Sequence, residues 1–490
     1  MSYINPSNRD QYKFPLCMEE TISNDNPVRI IDVIVDEIVN SNKEIFYSEK
    51  RTEAGRPEYH PYTLLKLYLY GYFNGISSSR KLEKETKRNI EVMWLLGNLS
   101  PDHWTISNFR KEKTDQIKTA TKLFRRFLKD NNYIEGKTVA IDGTKIKANA
   151  SRDMLSKSKI ENRLAGLEER MEEYLKRMGD TDKEEDILEE YEKSGEDQIQ
   201  DHLIKKVIDL QEKIEKLTKL KEVSETKGKG TISPTDLDCN LMRSREGKIP
   251  AYNIQMAVDK KYSMIADSEV TTEENDAHQL EPMIESYEEE MGIKPEEVLL
   301  DTGYNTPDMI EKVTKEKEVE CYIPNANNKR SKEIITFTYD KDKDEVICSE
   351  GKRLLLFQKN KKKHNCYANV YRGIECQGCP QTDICTESKN GRIYHRYLNQ
   401  EWRDEYQNKM REYKSQKKIK QRKKIIEHVF GSIKTLMGKI PLLVRGKNKV
   451  SAEINIYTTV YNLKRLINIE KIENIEMIID MIRGYKWNLA

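Results

Sequence analysis

At 490 residues the chain can hold roughly two to four domains and at least one sizeable core, and no apolar stretch in it approaches membrane-spanning length. A charged fraction of 34% against 37% hydrophobic residues suits a helical, surface-rich protein, while the net charge of +2 conceals strong segregation. Residues 161–200 carry 15 acidic and 6 basic side chains, and residues 411–450 carry 13 basic and 2 acidic ones. A local basic surface attracts a polyanion whatever the rest of the chain carries. The opening MSYINPSNRDQYKFPL lacks the basic start and apolar core of a secretory signal. The eight cysteines are therefore expected to be reduced in a cytoplasmic setting rather than joined in a disulfide framework.

Residues 1–135 read as helical. Pro61-Tyr62 opens an apolar-periodic helix through Leu64, Leu65, Leu67, Tyr68 and Tyr70. Ile76-Ser77-Ser78-Ser79 then caps a basic helix starting at Arg80, and a short helix with Trp104, Phe109, Arg110 and Lys111 follows Ser100-Pro101. Helix, short turn, helix with basic positions fits a helix-turn-helix-like DNA reader in which Arg80 and Arg110 face the nucleic acid. The plainer alternative is a helical packing domain.

From Gly136 the pattern changes to strands. Val139-Ala140-Ile141 leads into Asp142, and the expected strand turns at Gly143 into a second strand over Lys145–Ala148. An insertion over 151–231 then interrupts this core. Ile160, Leu164, Leu167, Met171 and Tyr174 alternate spacings of four and three, as do Leu203, Val207, Leu210, Ile214 and Leu217. Two such stripes joined by the acidic Gly179–Gln200 stretch predict an antiparallel coiled-coil hairpin. The core resumes over 232–324, with strands at Tyr252–Val258 and Met264–Val270 and a helix from Ala277 to Met291. The strand Val298-Leu299-Leu300 ends at Asp301, and Val319–Ile323 forms another strand. Among the remaining acids, Asp259 is expected in a turn, Asp276 as a helix cap, and Asp267 on a solvent-facing strand position.

Residues 325–405 read as a second insertion. CQGCPQTDIC gives C-x2-C-x5-C through Cys376, Cys379 and Cys385, and Cys348 can supply a fourth thiolate. Four thiolates suit tetrahedral zinc, with His364, Cys366 and His395 as alternative ligands and reduced free thiols as the bland reading. Cys17, Cys239 and Cys321 read as isolated thiols. Residues 406–490 contain KKIIEHVFGSIK, a basic helical stretch that places Lys434 seven residues, about two turns, after Glu427.

Singly, each acidic landmark is weak: an acid at a strand end is commonly a turn former, and a Glu among lysines a surface ion pair. Together they resemble a bacterial insertion-sequence transposase with an RNase-H-like core and a DDE triad, of the insertion sequence 1182-like or insertion sequence 4-related group. Glu427 and Lys434 match that family's E-x6-K signature, Asp142-Gly143-Thr144 its first aspartate motif, and Asp301-Thr302-Gly303-Tyr304 its second. HPYTLLKLYLYGYFNGISSSRKLE resembles its N-terminal domain, and DLDCNLMRSREGKIPAYNIQMAVD the region feeding its middle strands. One departure concerns the Y-x2-R-x3-E spacing of many relatives, whose Tyr and Arg positions here hold Lys420 and Lys423, with Arg422 one residue off.

The resemblance implies an α/β fold: a mixed RNase-H-like sheet flanked by helices, preceded by a helical DNA-binding domain and interrupted by the coiled-coil and Cys-rich insertions. It implies metal-dependent cleavage and transfer of DNA strands at the element's terminal repeats, with Asp142, Asp301 and Glu427 holding two Mg2+ (or Mn2+) ions. Lys434 would clamp a phosphate, and Lys420, Arg422, Lys423 and Lys424 would follow the backbone. A homodimer on paired ends is the economical assembly. The competing expectations are a nuclease that cuts without joining, a catalytically silent DNA-binding regulator, and a structural zinc protein.

Overall fold

The computed structural model describes residues 17–47, 58–188, 196–244, 247–325, 335–363, 366–376, 378–388, 390–438 and 442–488. Helical spacing of apolar residues builds the N-terminal region from α1 (Val28–Ser41), α2 (Lys43–Phe46), α3 (Pro61–Phe73), α4 (Ser79–Arg88), α5 (Ile90–Leu95), α6 (His103–Glu112) and α7 (Thr114–Asp130). Pro61 suits the first turn of α3 because it lacks the N–H that this position leaves unpaired. From Thr63 to Tyr72 the helix is buried on every side, as an apolar helix without a polar face must be. Asp102 starts α6 by accepting from the Thr105 amide at 2.7 Å.

β1 (Thr138–Lys147) runs without a break through Gly143, where the sequence suggested a turn into a second strand. The reason is its partner. β1 pairs antiparallel with β5 (Gly247–Asp259) from Val139↔Asp259 to Lys147↔Ala251, and so long a ladder holds Gly143 extended. A Cβ at Gly143 would meet the side chains of Gln255, Asp276 and Asn253, so the glycine serves close approach rather than a turn. Between these strands, β2 (Leu155–Ser156) and β3 (Thr231–Ile232) close the base of a two-helix excursion, α8 (Lys157–Leu188) and α9 (Glu196–Thr226). Leu155, Ile160, Leu164, Leu220 and Ile232 form its own small core. The two helices pack on each other where the sequence led to the expectation of a coiled-coil hairpin; residues 189–195, in the acidic connection, lie outside the described residues.

The main sheet adds β4 (Asn240–Ser244), β6 (Ile265–Thr271), β7 (Glu297–Leu299) and β8 (Glu320–Tyr322), in the order β4-β5-β1-β7-β8 with β6 also on β5. β5 and β6 are antiparallel to their neighbours, whereas β7 is parallel to β1 and β8 parallel to β7. α10 (Leu280–Met291) and α11 (Pro307–Glu316) are the connections that parallel strands require. A second sheet, wholly antiparallel, runs β13-β12-β11-β10-β9 through β9 (Phe337–Asp340), β10 (Glu345–Cys348), β11 (Arg353–Lys363), β12 (Cys366–Gly373) and β13 (Ile393–Tyr397). The short α12 (Thr382–Cys385) lies between its last two strands. α13 (Gln400–Arg411), α14 (Tyr413–Met437), α15 (Lys447–Glu470) and α16 (Ile475–Gly484) complete the chain.

One core joins the N-terminal helices, the main sheet and α14–α16. Arg125 of α7 is its buried polar hub, reaching Glu290 at 2.9 Å, Asp267 at 3.4 Å and Thr458 at 3.0 Å. Asp267 is thus buried and ion-paired, not solvent-facing, because β6 is covered by α10 and α15. Burial raises its carboxyl above the usual range while Arg125 opposes that shift. Arg110, expected on a DNA-facing surface, is also buried. It donates to the Tyr72 hydroxyl at 2.8 Å and pairs with the fully buried Glu453 of α15 at 3.3 Å. A basic residue in a short amphipathic helix looks the same in sequence whether it meets a phosphate or a buried carboxylate 343 positions away.

Candidate active site

Asp142 lies in the middle of β1, on the stretch where that strand pairs with β5 alone, beyond the end of its ladder with β7. Asp301 follows β7 and caps a short 3-10 turn (Thr302–Tyr304) by accepting from the Gly303 amide at 2.8 Å. Because β1 and β7 are adjacent and parallel, both carboxylates emerge on one side of the sheet. α14 crosses there, seated through Ile425, Ile426, Val429 and Ile433, all buried, and its contacts run to β1, β5, β7 and β8. An ion pair from Lys418 to Glu297 fastens it to β7.

That seating turns Arg422 inward. Its Nη1 donates to Asp142 Oδ2 at 2.7 Å and its Nη2 stands 3.8 Å from Asp301 Oδ2, so one guanidinium spans both acids. The arginine displaced by one residue from its relatives' spacing is the one that reaches the site; Lys423 is exposed instead. Asp142 is mostly buried, and burial lifts its carboxyl to about 6. Arg422 opposes the shift, while Asp301 and Asp276 reinforce it.

Asp276, like Asp267 and Arg110, stands elsewhere than the sequence suggested. It begins a 3-10 turn (Asp276–His278) ahead of α10 rather than capping that helix, and its Oδ1 accepts from Asn253 at 2.7 Å and Gln255 at 2.6 Å. Gln255 in turn accepts from the buried Tyr304 hydroxyl. Asn253 Oδ1 is buried with no donor among the described residues. The available signal was Asn253 and Gln255, two polar residues on one face of an otherwise apolar strand, waiting for a polar partner.

Glu427 stands elsewhere on α14. Five residues separate it from Arg422, about 140° around the helix. Arg422 faces the aspartates, whereas Glu427 is exposed together with Lys420, Lys423, Lys424 and Lys434. The same-face relation of Glu427 and Lys434 holds, but the face is the outer one. Arg80 is exposed on α4, beside which Trp104 is 68% exposed. Asp236 accepts from the Tyr252 hydroxyl and Asp238 pairs with Lys227, while Asp259 ends β5 and accepts from the Gly136 and Lys261 amides. These acids have other occupations. Among the described residues no group of three or more His, Cys, Asp or Glu side chains is placed so that it could hold a metal ion.

Comparison with known families bears on what these elements are. The family described as Transposase domain (DUF772) matches residues 16–112, and the family described as Transposase DDE domain matches residues 347–467. The chain belongs to the DDE transposases of insertion sequences. No curated protein and no solved structure matches it. The transposase is thus an enzyme of DNA cleavage and strand transfer, with DNA as its partner. The first matched segment covers α1 to α6, and the second runs from the cysteine-rich sheet through α14 and most of α15. Glu427 falls inside the second; Asp142 and Asp301 lie in the unmatched stretch between the two. No helix among the described residues is long and apolar enough to cross a membrane.

Proposed function

We propose that this transposase acts through Asp142, Asp301 and Glu427 on a main sheet of RNase-H type, at the terminal repeats of its element. The observation that carries this reading is Arg422, whose guanidinium contacts both aspartates. Two carboxylates that share one cation stand close enough to share a metal ion.

DDE transposases generally use divalent metals. The site's chemistry fits such an ion: Asp142, Asp276 and Asp301 supply oxygens only, and the Asn253 oxygen beside them has no donor among the described residues. Asp142 and Asp301 would hold Mg2+ (two ions, or Mn2+), joined by Glu427. When bound, the metal supplies an activated attacking oxygen and a stabilised leaving oxygen for in-line displacement. Arg422 neutralises the two aspartates, and the exposed face of α14 lays Lys420, Lys423, Lys424 and Lys434 along the phosphate backbone without reading bases. α4 to α6, with Arg80 and Trp104 exposed, would read the terminal repeat. Two chains on paired ends complete the assembly, and the 1182-like or 4-related placement rests on the E-x6-K wording. The working location is the cytoplasm, on DNA.

A second reading is favoured by one observation. Asp276 stands with the aspartate pair, and Glu427 is on the outer face of its helix, so Asp276 is a rival for the third carboxylate. The test is cleavage and joining of a labelled DNA bearing the element's ends, with Mg2+ or chelator, by wild type, Glu427→Gln and Asp276→Asn. Loss of both products in Glu427→Gln alone supports the triad, and loss in Asp276→Asn alone transfers the role. Cleavage without joining by wild type would reduce the protein to a nuclease.

A further inference from the structure

The cysteine-rich sheet has little apolar interior. Val346, Leu354 and Tyr371 form its buried cluster, with five partly buried neighbours, and among the described residues Ala368 and Val370 are its other buried apolar side chains. Leu355, Phe357, Tyr367 and Ile393 of the same sheet are exposed. A unit of roughly 60 residues with so small a core needs another source of stability, and reduced thiols cannot cross-link it. Yet the sheet brings four thiols together. Cys348, Cys376, Cys379 and Cys385 line one cavity of about 20 Å³, with Arg392 and Thr382 beside them. That volume suits a single ion and is too small for an organic ligand.

We propose that Cys348, Cys376, Cys379 and Cys385 hold one structural zinc ion, which fixes the five-stranded sheet in front of α13 and α14.

The backbone around each pair of thiols turns in the way a metal knuckle requires. Cys348 ends β10, and the chain reverses at once: Gly351, at φ +72°, donates its amide to the Cys348 carbonyl at 2.8 Å. Cys376 and Cys379 bracket a second turn through Gly378 at φ +78°, in which the Cys379 amide donates to the Cys376 carbonyl at 3.2 Å. Left-handed backbone is open to glycine at no steric cost, so both turns are local consequences of sequence. The Thr382 hydroxyl stands 3.0 Å from the Cys376 carbonyl and 2.7 Å from that of Cys379, tying the turn to α12, which ends at Cys385.

Arg392 is an independent indication. Its Nη1 donates to the Cys385 carbonyl at 2.6 Å, while its buried Nε has no acceptor among the described residues. Four thiolates around Zn2+ carry a net charge of −2, and such centres are held by nearby N–H donors and cations. As placed, no three of these thiols stand close enough together to hold a metal ion, so the site would form as the sulfurs converge. Binding would release their protons to solvent and draw the sulfurs in to about 2.3 Å from the metal.

The alternative ligands fall away. Cys366 lies at the start of β12 and interacts with Asp308 and Arg403. His395 is mid-strand opposite Val370 and does not line the cavity. His364 lies outside the described residues.

Full-length protein purified without chelator is expected to contain about one zinc per chain by elemental analysis. Cobalt exchanged for zinc should give the absorption of a tetrahedral ion with four thiolates. Cys379→Ser should lower metal content at least about tenfold at micromolar free zinc, and Cys366→Ser should leave it unchanged. Metal-free protein with all four thiols freely titrating overturns the proposal, as does a cobalt spectrum showing fewer than four sulfur ligands. Should Cys379→Ser fail to fold, the wild-type cobalt spectrum decides alone.

Discussion

The main sheet and the cysteine-rich sheet differ by one strand in size but are held by different means. In the main sheet, β5 is buried from Pro250 to Asp259, and side chains are positioned by what packs on either face. So large a core tolerates charge at its edge: Asp142 and Asp301 share the guanidinium of Arg422, and Asp276 accepts from Asn253 and Gln255. In the second sheet five buried apolar residues, Val346, Leu354, Ala368, Val370 and Tyr371, do the packing among those described, and titratable groups such as Asp344 are held by hydrogen bonds near the surface. Asp344, for instance, accepts from Tyr371 at 2.5 Å and Tyr339 at 3.0 Å. The lesson is that burial sets the site's chemistry in one sheet, and local turns and polar contacts set it in the other.

The strongest way to break this contrast is Asp301→Asn. Asp301 is at the rim of the large core, so DNA cleavage should fall by on the order of 10³-fold or more with Mg2+ while thermal stability barely moves. Retained cleavage would remove the aspartate pair from the chemistry. Next come paired truncations. Leu299→Ala in β7 should cost about 2–5 kcal/mol in denaturant unfolding of the whole chain. Leu354→Ala in β11 should instead raise hydrogen exchange within β9–β13 and leave the main transition in place. Equal effects would mean one cooperative unit.

The pH dependence should have opposite signs in the two sheets. Burial lifts Asp142 to about 6 from an ordinary 3.8, so its favourable contribution exists below pH 4 and is lost as pH rises through 6. Relative to Asp142→Asn, metal-free wild type should lose about 2 kcal/mol over that window. Hydrogen bonds from Tyr371 and then Tyr339 hold Asp344 below the usual carboxylate range, so its contribution is present near neutrality and lost on acidification. Urea unfolding from pH 4 to 7 of Asp142→Asn and Asp344→Asn checks both signs. The smallest effect concerns DNA. Lys423→Ala with Lys424→Ala should lower the salt slope of binding by about 2, whereas Lys361→Ala with Lys362→Ala on β11 should leave it unchanged. A comparable drop from the β11 pair would make the second sheet a DNA surface as well.

Much of this architecture could be read from residue patterns, because apolar runs and helical stripes report burial directly. The strands around Asp301, the two-helix excursion and the helix carrying Glu427 were all legible for that reason. Residues whose environment is made by distant chain were not. Arg110 and Arg125 look like surface cations until Glu453 and Asp267 are folded against them. Gly143 looks like a turn until β5 lies beside it. Asp276 has no local mark at all, since its partners Asn253 and Gln255 lie on a different strand. Arg422 could be weighed from spacing, but its direction depends on which side of α14 packs on the sheet.

The buried pair of Arg110 and Glu453 has a consequence for how the chain is made. Glu453 also accepts from the Leu443 and Val444 amides and from the Tyr72 hydroxyl, and Asn42 bonds the carbonyl of Trp487. The helices that open the sequence therefore lack part of their interior until Glu453 and Trp487 have left the ribosome. At elongation rates of about 5–20 residues per second that interval is on the order of 20–70 s, during which α3 and α6 expose an unpaired arginine and an open apolar seam. The N-terminal helical region is thus completed only when α15 and the segment carrying Trp487 are in place.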